Sequence, residues 1–268
     1  GPMHKVMLYL FGRYIVTPPV EMILAHGYGL AVLYPSEAVP DDKEAGSAAL
    51  AALAEGHADT ATRWGAIAAW GWLYSRAADA LLADERIDPK GLIAWGHSRY
   101  AKAALLAAAF DDRFDAVIAH QSGAGGASLN RKKAGESIKA ITKTYPHWFS
   151  ARYARYADKA ETLPVDQHQL LALVAPRPIL LGNARRDVWS DPAGALRAAR
   201  GADPVYELYG ETGLDQARMT PFSPQAELSF WIRPGTHGVV EEDWPAFLAF
   251  LDAHIGARRI AAPRTSSR

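Results

Sequence analysis

The sequence predicts a single α/β domain with a mostly parallel sheet and helices on both faces. Short apolar runs alternate with helical patterns almost to the carboxyl end, and no repeat divides the chain. The 29 basic and 29 acidic side chains balance, which favours neither nucleic acid nor an anionic membrane as a partner. No apolar run is long enough to suggest a membrane span. The chain has no cysteine, which excludes disulfides and thiolate catalysis.

The amino-terminal part of the chain predicts two strands and two helices. Residues 6–11 and 30–34 are apolar runs ended by glycine and by proline, so each predicts a strand. A short helix begins between them at Pro18 and Pro19, because proline suits the first turn of a helix. Residues 36–63 are rich in small and charged side chains and predict a surface loop. Residues 65–83 predict a helix with one apolar face.

The middle of the chain predicts two strands on either side of a tight turn and a helix. Residues 92–95 predict a buried strand, residues 102–110 a helix, and residues 116–119 the next strand. Ser98 stands at the apex of the turn between the first strand and the helix. This order is typical of the nucleophile elbow G-x-S-x-G, although Tyr100 occupies the second glycine position.

An irregular segment interrupts the pattern after the predicted strand at 116–119. Residues 123–164 carry glycines, a basic cluster and many aromatic side chains, and they predict an insertion over the sheet edge where ligands bind. Helices are then predicted at 166–174, 193–200 and 241–255, and strands at 178–181 and 228–232. The polar, basic residues 257–268 predict a disordered tail, so residues 1–256 form the predicted domain.

Three residues with hydrolytic chemistry follow predicted strands: Ser98, Asp187 and His237. A serine hydroxyl becomes nucleophilic when an imidazole takes its proton, and a carboxylate fixes the tautomer of that imidazole. Their order along the chain is that of α/β-hydrolases. The residues alone leave two other interpretations open, because serine is also a common helix N-cap and a loop aspartate often caps backbone N–H groups. No H-x-x-x-H or H-E-x-x-H pattern predicts a zinc site, and the sequence calls for no cofactor.

The segment 96–102 (GHSRYAK) resembles the G-x-S-R-x-G-K motif of the glucuronoyl esterases. These enzymes, also named 4-O-methyl-glucuronoyl methylesterases or carbohydrate esterase family 15, cleave the ester between glucuronic acid on xylan and lignin alcohols. Further matches follow in order at 115–126, 135–136, 145–149, 163–168, 187–192, 204–208 and 235–237. The resemblance covers about residues 85 to 255 and is strongest to bacterial members. It implies an α/β-hydrolase fold and a periplasmic or extracellular location.

The resemblance also implies roles for individual residues. Ser98 is then the nucleophile, His237 the base, and Arg99 a cation that helps to hold the oxyanion. The implied substrate-binding residues are Lys102, Glu136, Trp189 and Gln121. The alternative for Arg99 and Lys102 is a solvated helix face, and without the resemblance this alternative is favoured for Lys102.

The chain departs from the family pattern at three places. Ala101 stands where the family has glycine, and Gln121 stands where many members carry a catalytic glutamate. Glutamine cannot balance an imidazolium charge, but other bacterial members use an aspartate that matches Asp187, so the resemblance implies that Asp187 is the acid. The amino end is short and apparently lacks the first strands, as in a trimmed chain or a reduced member of the family. Its turn at residues 11–13 would donate an oxyanion N–H, and the exposed sheet edge could pair with another chain to form a homo-oligomer.

The first functional hypothesis is a serine carboxylic-ester hydrolase that cleaves glucuronoyl esters of small molecules or oligosaccharides through an acyl-enzyme. A second hypothesis keeps the same catalytic residues but takes other small carbohydrate esters, such as acetyl or feruloyl esters. The third hypothesis, motivated by Gln121, Ala101 and the short amino end, is a catalytically degenerate carbohydrate-binding protein.

Overall fold

A parallel sheet of four strands forms the centre of the described chain. The computed structural model describes residues 2–12, 14, 17–55, 59 and 61–256. The strands are β1 (Ile93–His97), β2 (Ala116–His120), β3 (Ile179–Ala184) and β4 (Leu228–Arg233), and they lie side by side in that order. The register pairs His97 with His120 and Ala184 with Arg233, so the carboxyl ends of all four strands meet at one edge.

Ten α-helices within the described residues surround and extend this sheet. They are α1 (Pro2–Phe11), α2 (Val20–Ala25), α3 (Lys43–Leu53), α4 (Ala66–Leu82), α5 (Arg99–Phe110), α6 (Ile138–Thr144), α7 (Ala151–Ala154), α8 (Gln167–Ala172), α9 (Pro192–Leu208) and α10 (Asp243–Leu251). Helices α4, α5, α8 and α9 cover one face of the sheet, and α2 and α10 cover the other. None of the described helices is long and apolar enough to cross a membrane.

Alternate residues of each strand pack on opposite faces of the sheet. In β2, Val117 joins the core beneath α5 and α9, whereas Ile118 joins the core beneath α10. All five residues of β2 are buried, as expected for a central strand of a parallel sheet covered on both sides. The predicted parallel sheet with helices on both faces is therefore confirmed.

Two predicted strands near the amino end are wrong. Residues 6–11 belong to α1, and residues 30–34 form neither strand nor helix. Short apolar runs have the same pattern in a strand and in a helix, and a strand forms only where a neighbour accepts its backbone hydrogen bonds. Val32 and Tyr34 are 58% and 65% exposed, so this run does not contribute to a core.

The predicted loop at 36–63 contains a helix that the sequence analysis missed. Helix α3 begins after Asp42, whose side chain accepts hydrogen bonds from the N–H groups of Glu44 and Ala45. An aspartate before an alanine-rich run is an N-cap signal that could have identified this helix. The small residues of this segment lie in the helix, and Leu50 is buried on its apolar face.

The later elements are found close to their predicted positions. Helix α4 agrees with the prediction within one residue at each end, and β3 and β4 begin within one residue of it. Helix α9 is longer than predicted and continues through Pro204 to Leu208. Burial of Ala202 and Tyr206 stabilises this extension, since packing outweighs the low helix propensity of glycine and proline.

The segment 123–164 contains the short helices α6 and α7 among irregular backbone. Its assignment as an insertion stays a prediction. It packs onto α4, where Trp148 and Ile141 are buried against Trp70. The prediction of a disordered tail falls on residues 257–268, which lie outside the described residues. The predicted homo-oligomer stays a prediction; β1 and β4 are the edge strands of the described sheet.

Candidate active site

Ser98 lies in a sharp turn between β1 and α5. Its backbone has φ 57° and ψ −121°, a region that residues other than glycine rarely adopt. The turn brings α5 so close to β1 that a Cβ atom at Gly96 would overlap the carbonyl of Tyr100. Gly96 is therefore required for this nucleophile-elbow geometry.

The two positions that depart from the general elbow motif are both accommodated. The ring of Tyr100 lies 5.3 Å from that of Trp70, measured between ring centroids, and so packs against α4. Ala101 is fully buried in the core beneath the sheet, where a methyl group fits. Neither side chain prevents the turn at Ser98.

His237 lies in the loop 234–238 between β4 and α10, which we call the His237 loop. Its Nδ1 atom is 2.8 Å from Oδ2 of Asp187, which follows β3. Its ring centroid is 4.6 Å from that of His97, the residue before Ser98. Ser98 and His237 share no hydrogen bond in this structure, and such contacts commonly tighten only in the complex with substrate. Asp187 engages one ring nitrogen and leaves Nε2 for proton transfer.

Two opposing effects act on the pKa of Asp187. Burial raises it, but the hydrogen bond and charge of His237, together with hydrogen bonds from Ser190, outweigh burial. The pKa of Asp187 is therefore lower than its ordinary value. Since a carboxylate with a lowered pKa is ionised at neutral pH, Asp187 can balance the charge of a protonated His237.

The side chain of Gln121 supports the His237 loop on both sides of the histidine. Its Oε1 atom accepts the N–H of Gly238 at 2.8 Å, and its Nε2 atom donates to the carbonyl of Thr236 at 3.1 Å. The same Oε1 atom is 2.9 Å from Nε2 of His97. Gln121 is 1% exposed, and protein groups engage both polar atoms of its side chain.

Arg233 at the end of β4 supports the same loop from another side. Its Nη2 atom donates to the carbonyls of Gly238 at 2.9 Å and Thr236 at 3.3 Å, and its Nε atom donates to Asp243 at 2.9 Å. Asp243 is fully buried, and its Oδ2 atom lies 3.3 Å from Nε2 of His120. The sequence analysis missed Arg233 and Asp243, because nothing in the sequence shows that these charges are buried together.

The amino-terminal helix ends against the His237 loop. The carbonyl of Phe11 accepts the N–H of Val239 at 2.8 Å, and a Cβ atom at Gly238 would overlap that carbonyl. The ring of Phe11 meets that of His237 edge-on at 6.5 Å. Position 13 of the predicted oxyanion turn lies outside the described residues, so its N–H donor stays a prediction.

Arg99, the first residue of α5, lies directly after the serine. Its Nη1 atom donates a hydrogen bond to Asp41. Its guanidinium carbon is 4.8 Å from the centroid of the Trp148 ring and 5.4 Å from that of Tyr145, so the cation is close to both aromatic rings. The side chain is 31% exposed, so one part of the cation remains accessible. The sequence analysis missed Asp41 because it lies in the predicted loop.

Lys102 lies one helical turn after Arg99 and is 5% exposed. Its Nζ atom donates to the carbonyl of Ser122 and lies 5.7 Å from the centroid of the Trp148 ring. Burial lowers the pKa of Lys102 to about 7, although the charge of Glu136 acts in the opposite direction. Lys102 can therefore change its charge near neutral pH.

Glu136 and Trp189 lie together where the insertion contacts the loop after β3. The N–H of Glu136 donates to the carbonyl of Trp189 at 2.8 Å. Burial raises the pKa of Glu136, and the charge of Lys102 opposes this rise. Trp189 is 59% exposed, whereas Glu136 is 8% exposed. Of the predicted substrate-binding residues, these two and Lys102 are near one another.

Lys133 is a buried cation that the sequence analysis noted only within a basic cluster. Its Nζ atom lies 3.9 Å from Oδ2 of Asp191, and its side chain is 5% exposed. Burial lowers its pKa to about 8, while the charges of Asp191 and Glu136 oppose this change. Among the described residues, no group of His, Asp or Glu side chains is arranged to hold a metal ion.

Comparison with known proteins relates this chain to carbohydrate esterases. Residues 32–210 match the protein family described as glucuronyl esterase of fungi. A carbohydrate esterase from an unknown prokaryotic organism is 39% identical over 240 residues, which are 88% of this chain and 56% of that protein. The chain therefore spans little more than half the length of this curated relative.

Solved structures with similar sequences have the same fold. A promiscuous esterase of carbohydrate esterase family 15 from a marine bacterial metagenome superposes with a TM-score of 0.82 at 39% identity, over 88% of this chain and 60% of that one. A glucuronoyl esterase from Solibacter usitatus gives a TM-score of 0.81 at 40% identity, over 88% and 62% of the two chains. These superpositions confirm the predicted α/β-hydrolase fold.

Proposed function

The chain belongs to the glucuronyl esterase family, and from this premise we propose that it is a serine esterase that hydrolyses glucuronoyl esters. The observation that carries the proposal is the 2.8 Å contact between Nδ1 of His237 and Asp187, beside the strained turn of Ser98. The three residue types are those that acyl transfer to serine requires, and they lie at the edge of the sheet where α/β enzymes bind ligands.

In the first half of the reaction, Oγ of Ser98 attacks the ester carbonyl while its proton passes to Nε2 of His237. Asp187 stabilises the imidazolium that forms. Arg99 lies next to the nucleophile, and its positive charge stabilises the oxyanion of the tetrahedral intermediate. The bond to the alcohol oxygen then breaks, His237 protonates the departing alcohol, and the uronate stays on Ser98 as an acyl ester.

In the second half, water attacks the acyl carbonyl and gives its proton to His237. The bond to Oγ of Ser98 breaks, His237 returns a proton to the serine, and the free uronic acid leaves. In each half of the reaction His237 passes on the proton that it accepts, and the ester and water are the only reactants. Gln121 contacts the backbone of the His237 loop, whereas Asp187 contacts the imidazole of His237. We therefore assign the acid role to Asp187.

The sugar ring of the substrate is assigned to Lys102, Glu136 and Trp189, which we call the uronate side of the site. An exposed indole supplies a flat apolar surface, and the adjacent amine and carboxylate supply hydrogen bonds to hydroxyl groups. Support for this assignment comes from the hydrogen bond between the N–H of Glu136 and the carbonyl of Trp189 and from the burial of Lys102.

The proposal is tested by Ser98→Ala, assayed on the methyl ester of glucuronic acid. We expect hydrolysis to fall by about 10⁴-fold or more, because removal of a catalytic serine leaves only binding and oxyanion stabilisation. Ser229→Ala, which removes a buried hydroxyl from the middle of β4, is the matched control. Full activity of Ser98→Ala would exclude the mechanism. Labelling of Ser98 by a fluorophosphonate separates an esterase from a degenerate binding protein, which would not react.

A second substrate class has one observation in its favour. The related esterase from a marine bacterial metagenome is described as promiscuous. Rates on methyl glucuronate, its galacturonate epimer and aryl acetates would decide between the two classes. A preference for glucuronate supports the first proposal, and equal rates on acetates support a broader esterase.

A further inference from the structure

Asp41 gathers three hydrogen-bond donors beside the nucleophile turn. Its Oδ2 atom accepts from Nη1 of Arg99, and its Oδ1 atom accepts from Nε1 of Trp148 at 2.7 Å. The same Oδ1 atom is 3.2 Å from Nε2 of His147. The Asp41 side chain is 17% exposed. One carboxylate therefore joins α5, which follows the nucleophile, to the insertion.

The backbone on both sides of this carboxylate is closely packed. Asp42, the next residue, caps α3, so the chain direction at position 41 is fixed by the start of a helix. A Cβ atom at Gly46 would lie 2.9 Å from the ring of His147, so α3 and the insertion are in close contact. Trp148 is 4% exposed and stacks on Tyr145 at 3.8 Å between ring centroids.

We infer that Asp41 is a positioning residue that holds the Arg99 guanidinium beside Ser98. A long, flexible arginine can stabilise a transition-state charge without reorganisation only if its head group is already in place. The contact with Asp41 engages one terminal nitrogen, and the guanidinium carbon lies 4.8 Å and 5.4 Å from the ring centroids of Trp148 and Tyr145. The other N–H groups of Arg99 are then left to donate to the developing oxyanion. This inference rests on the proposed esterase function.

The requirement at position 41 is for two acceptor oxygens. One oxygen of Asp41 faces Arg99, and the other faces the indole N–H of Trp148. Asparagine has one acceptor oxygen and one NH₂ group, so it must direct a donor at one of these two donors. Asp41→Asn therefore breaks one side of the arrangement with almost no change in volume.

The test is a double-mutant cycle of Asp41→Asn and Arg99→Ala, with kcat and KM measured on an ester that the wild-type protein hydrolyses. We expect kcat to fall about 10²-fold in Arg99→Ala and about tenfold in Asp41→Asn, with little change in KM. The double variant should match Arg99→Ala, because Asp41 acts through Arg99. If the loss of kcat in the double variant equals the product of the two single losses, Asp41 acts independently of Arg99. Asp41 would then have a purely structural role, and the inference would be overturned.

Asp42→Asn is the matched control. It makes the same chemical change one residue further along the chain, and asparagine still caps α3. We expect wild-type kcat for this variant. Thermal unfolding of all variants shows which remain folded at the assay temperature. If Asp41→Asn does not fold, Asp41→Glu, which keeps both oxygens, enters the same cycle.

A second readout does not depend on activity. The Trp148 indole N–H resonance, assigned with Trp148→Phe, should shift in Asp41→Asn and stay in place in Asp42→Asn. If Ser98→Ala retains activity, the proposed function fails while this resonance still reports the contact. If Ser98→Ala is inactive and Arg99→Ala is fully active, the esterase stands and the role of Asp41 is overturned.

Discussion

The His237 loop and the uronate side of the site are supported in opposite ways. Buried side chains hold the loop: Gln121 is 1% exposed and Arg233 is paired with the fully buried Asp243. The uronate side combines the exposed ring of Trp189 with Lys102, a buried amine whose pKa burial lowers to about 7. Buried groups thus hold the His237 loop, whereas the uronate side combines an exposed ring with a buried amine that can change its charge.

This difference indicates how the two regions contribute to one reaction. In the proposed mechanism, proton transfer by His237 depends on distances that must hold in the transition state, so loosening its loop should lower kcat. The proposed interactions of the uronate side are present before and during the reaction, so weakening them should raise KM. Substitutions in the two regions should therefore have separable kinetic effects.

Asp187→Asn should have the largest effect in this comparison. We expect kcat to fall about 10⁴-fold with little change in KM, as the same substitution does in serine proteases, because asparagine cannot balance the imidazolium charge. Steady-state kinetics on a glucuronate ester measures this. Asp203→Asn, which retains an acceptor for the N–H of Leu214, is the control. A rate close to that of the wild-type protein would place the catalytic acid elsewhere.

Gln121→Met should have an intermediate effect and tests the support of the His237 loop. Methionine fills the same space but leaves the buried N–H of Gly238 without its acceptor, which costs about 1–3 kcal/mol. It also removes one of the two donors to the carbonyl of Thr236, which keeps only Arg233. We expect kcat to fall about tenfold or more while KM changes little.

The control for this prediction is Gln216→Met. Gln216 is also buried and accepts the N–H of Phe230 in the middle of β4, away from the His237 loop. The substitution Gln216→Met should lower the melting temperature of the protein, but it should not lower kcat when kcat is measured below that temperature. Equal losses of kcat in both variants would show that general destabilisation, rather than the position of His237, explains the result.

The pH dependence of KM should show the smallest effect and tests the uronate side. Lys102, with a pKa of about 7, is charged below that pH and loses its proton as the pH rises through it. A charged donor forms a hydrogen bond about 1 kcal/mol stronger than a neutral one, so KM should rise about fivefold between pH 6 and pH 8.

Lys102→Met is the control for the pH prediction, because methionine cannot titrate. Its KM should be high and independent of pH, while the pH profile of kcat should keep its wild-type shape. If the rise in KM persists in Lys102→Met, another group titrates, and the contrast between the fixed loop and the chargeable uronate side fails.

The sequence predicted the later part of the fold better than the amino-terminal part. The strands β2 and β3 are apolar runs that are buried along their whole length, so the apolar pattern of the sequence identified them directly. Residues 6–11 and 30–34 are equally apolar, but the sequence does not show which runs find a neighbouring strand. Pairing depends on contacts far apart in the chain, which local patterns do not contain.

The sequence by itself determined the elbow at Ser98, the order of Ser98, Asp187 and His237, and the identity of the family. These are local motifs and chain orders, which can be read without a structure. Tertiary structure alone decided that Asp187 meets His237, that Gln121 and Arg233 hold the His237 loop, and that Asp41 meets Arg99 across 58 positions of the chain. The physical reason is that hydrogen bonds between side chains depend on distances of a few ångströms, which only the packed sheet and insertion establish.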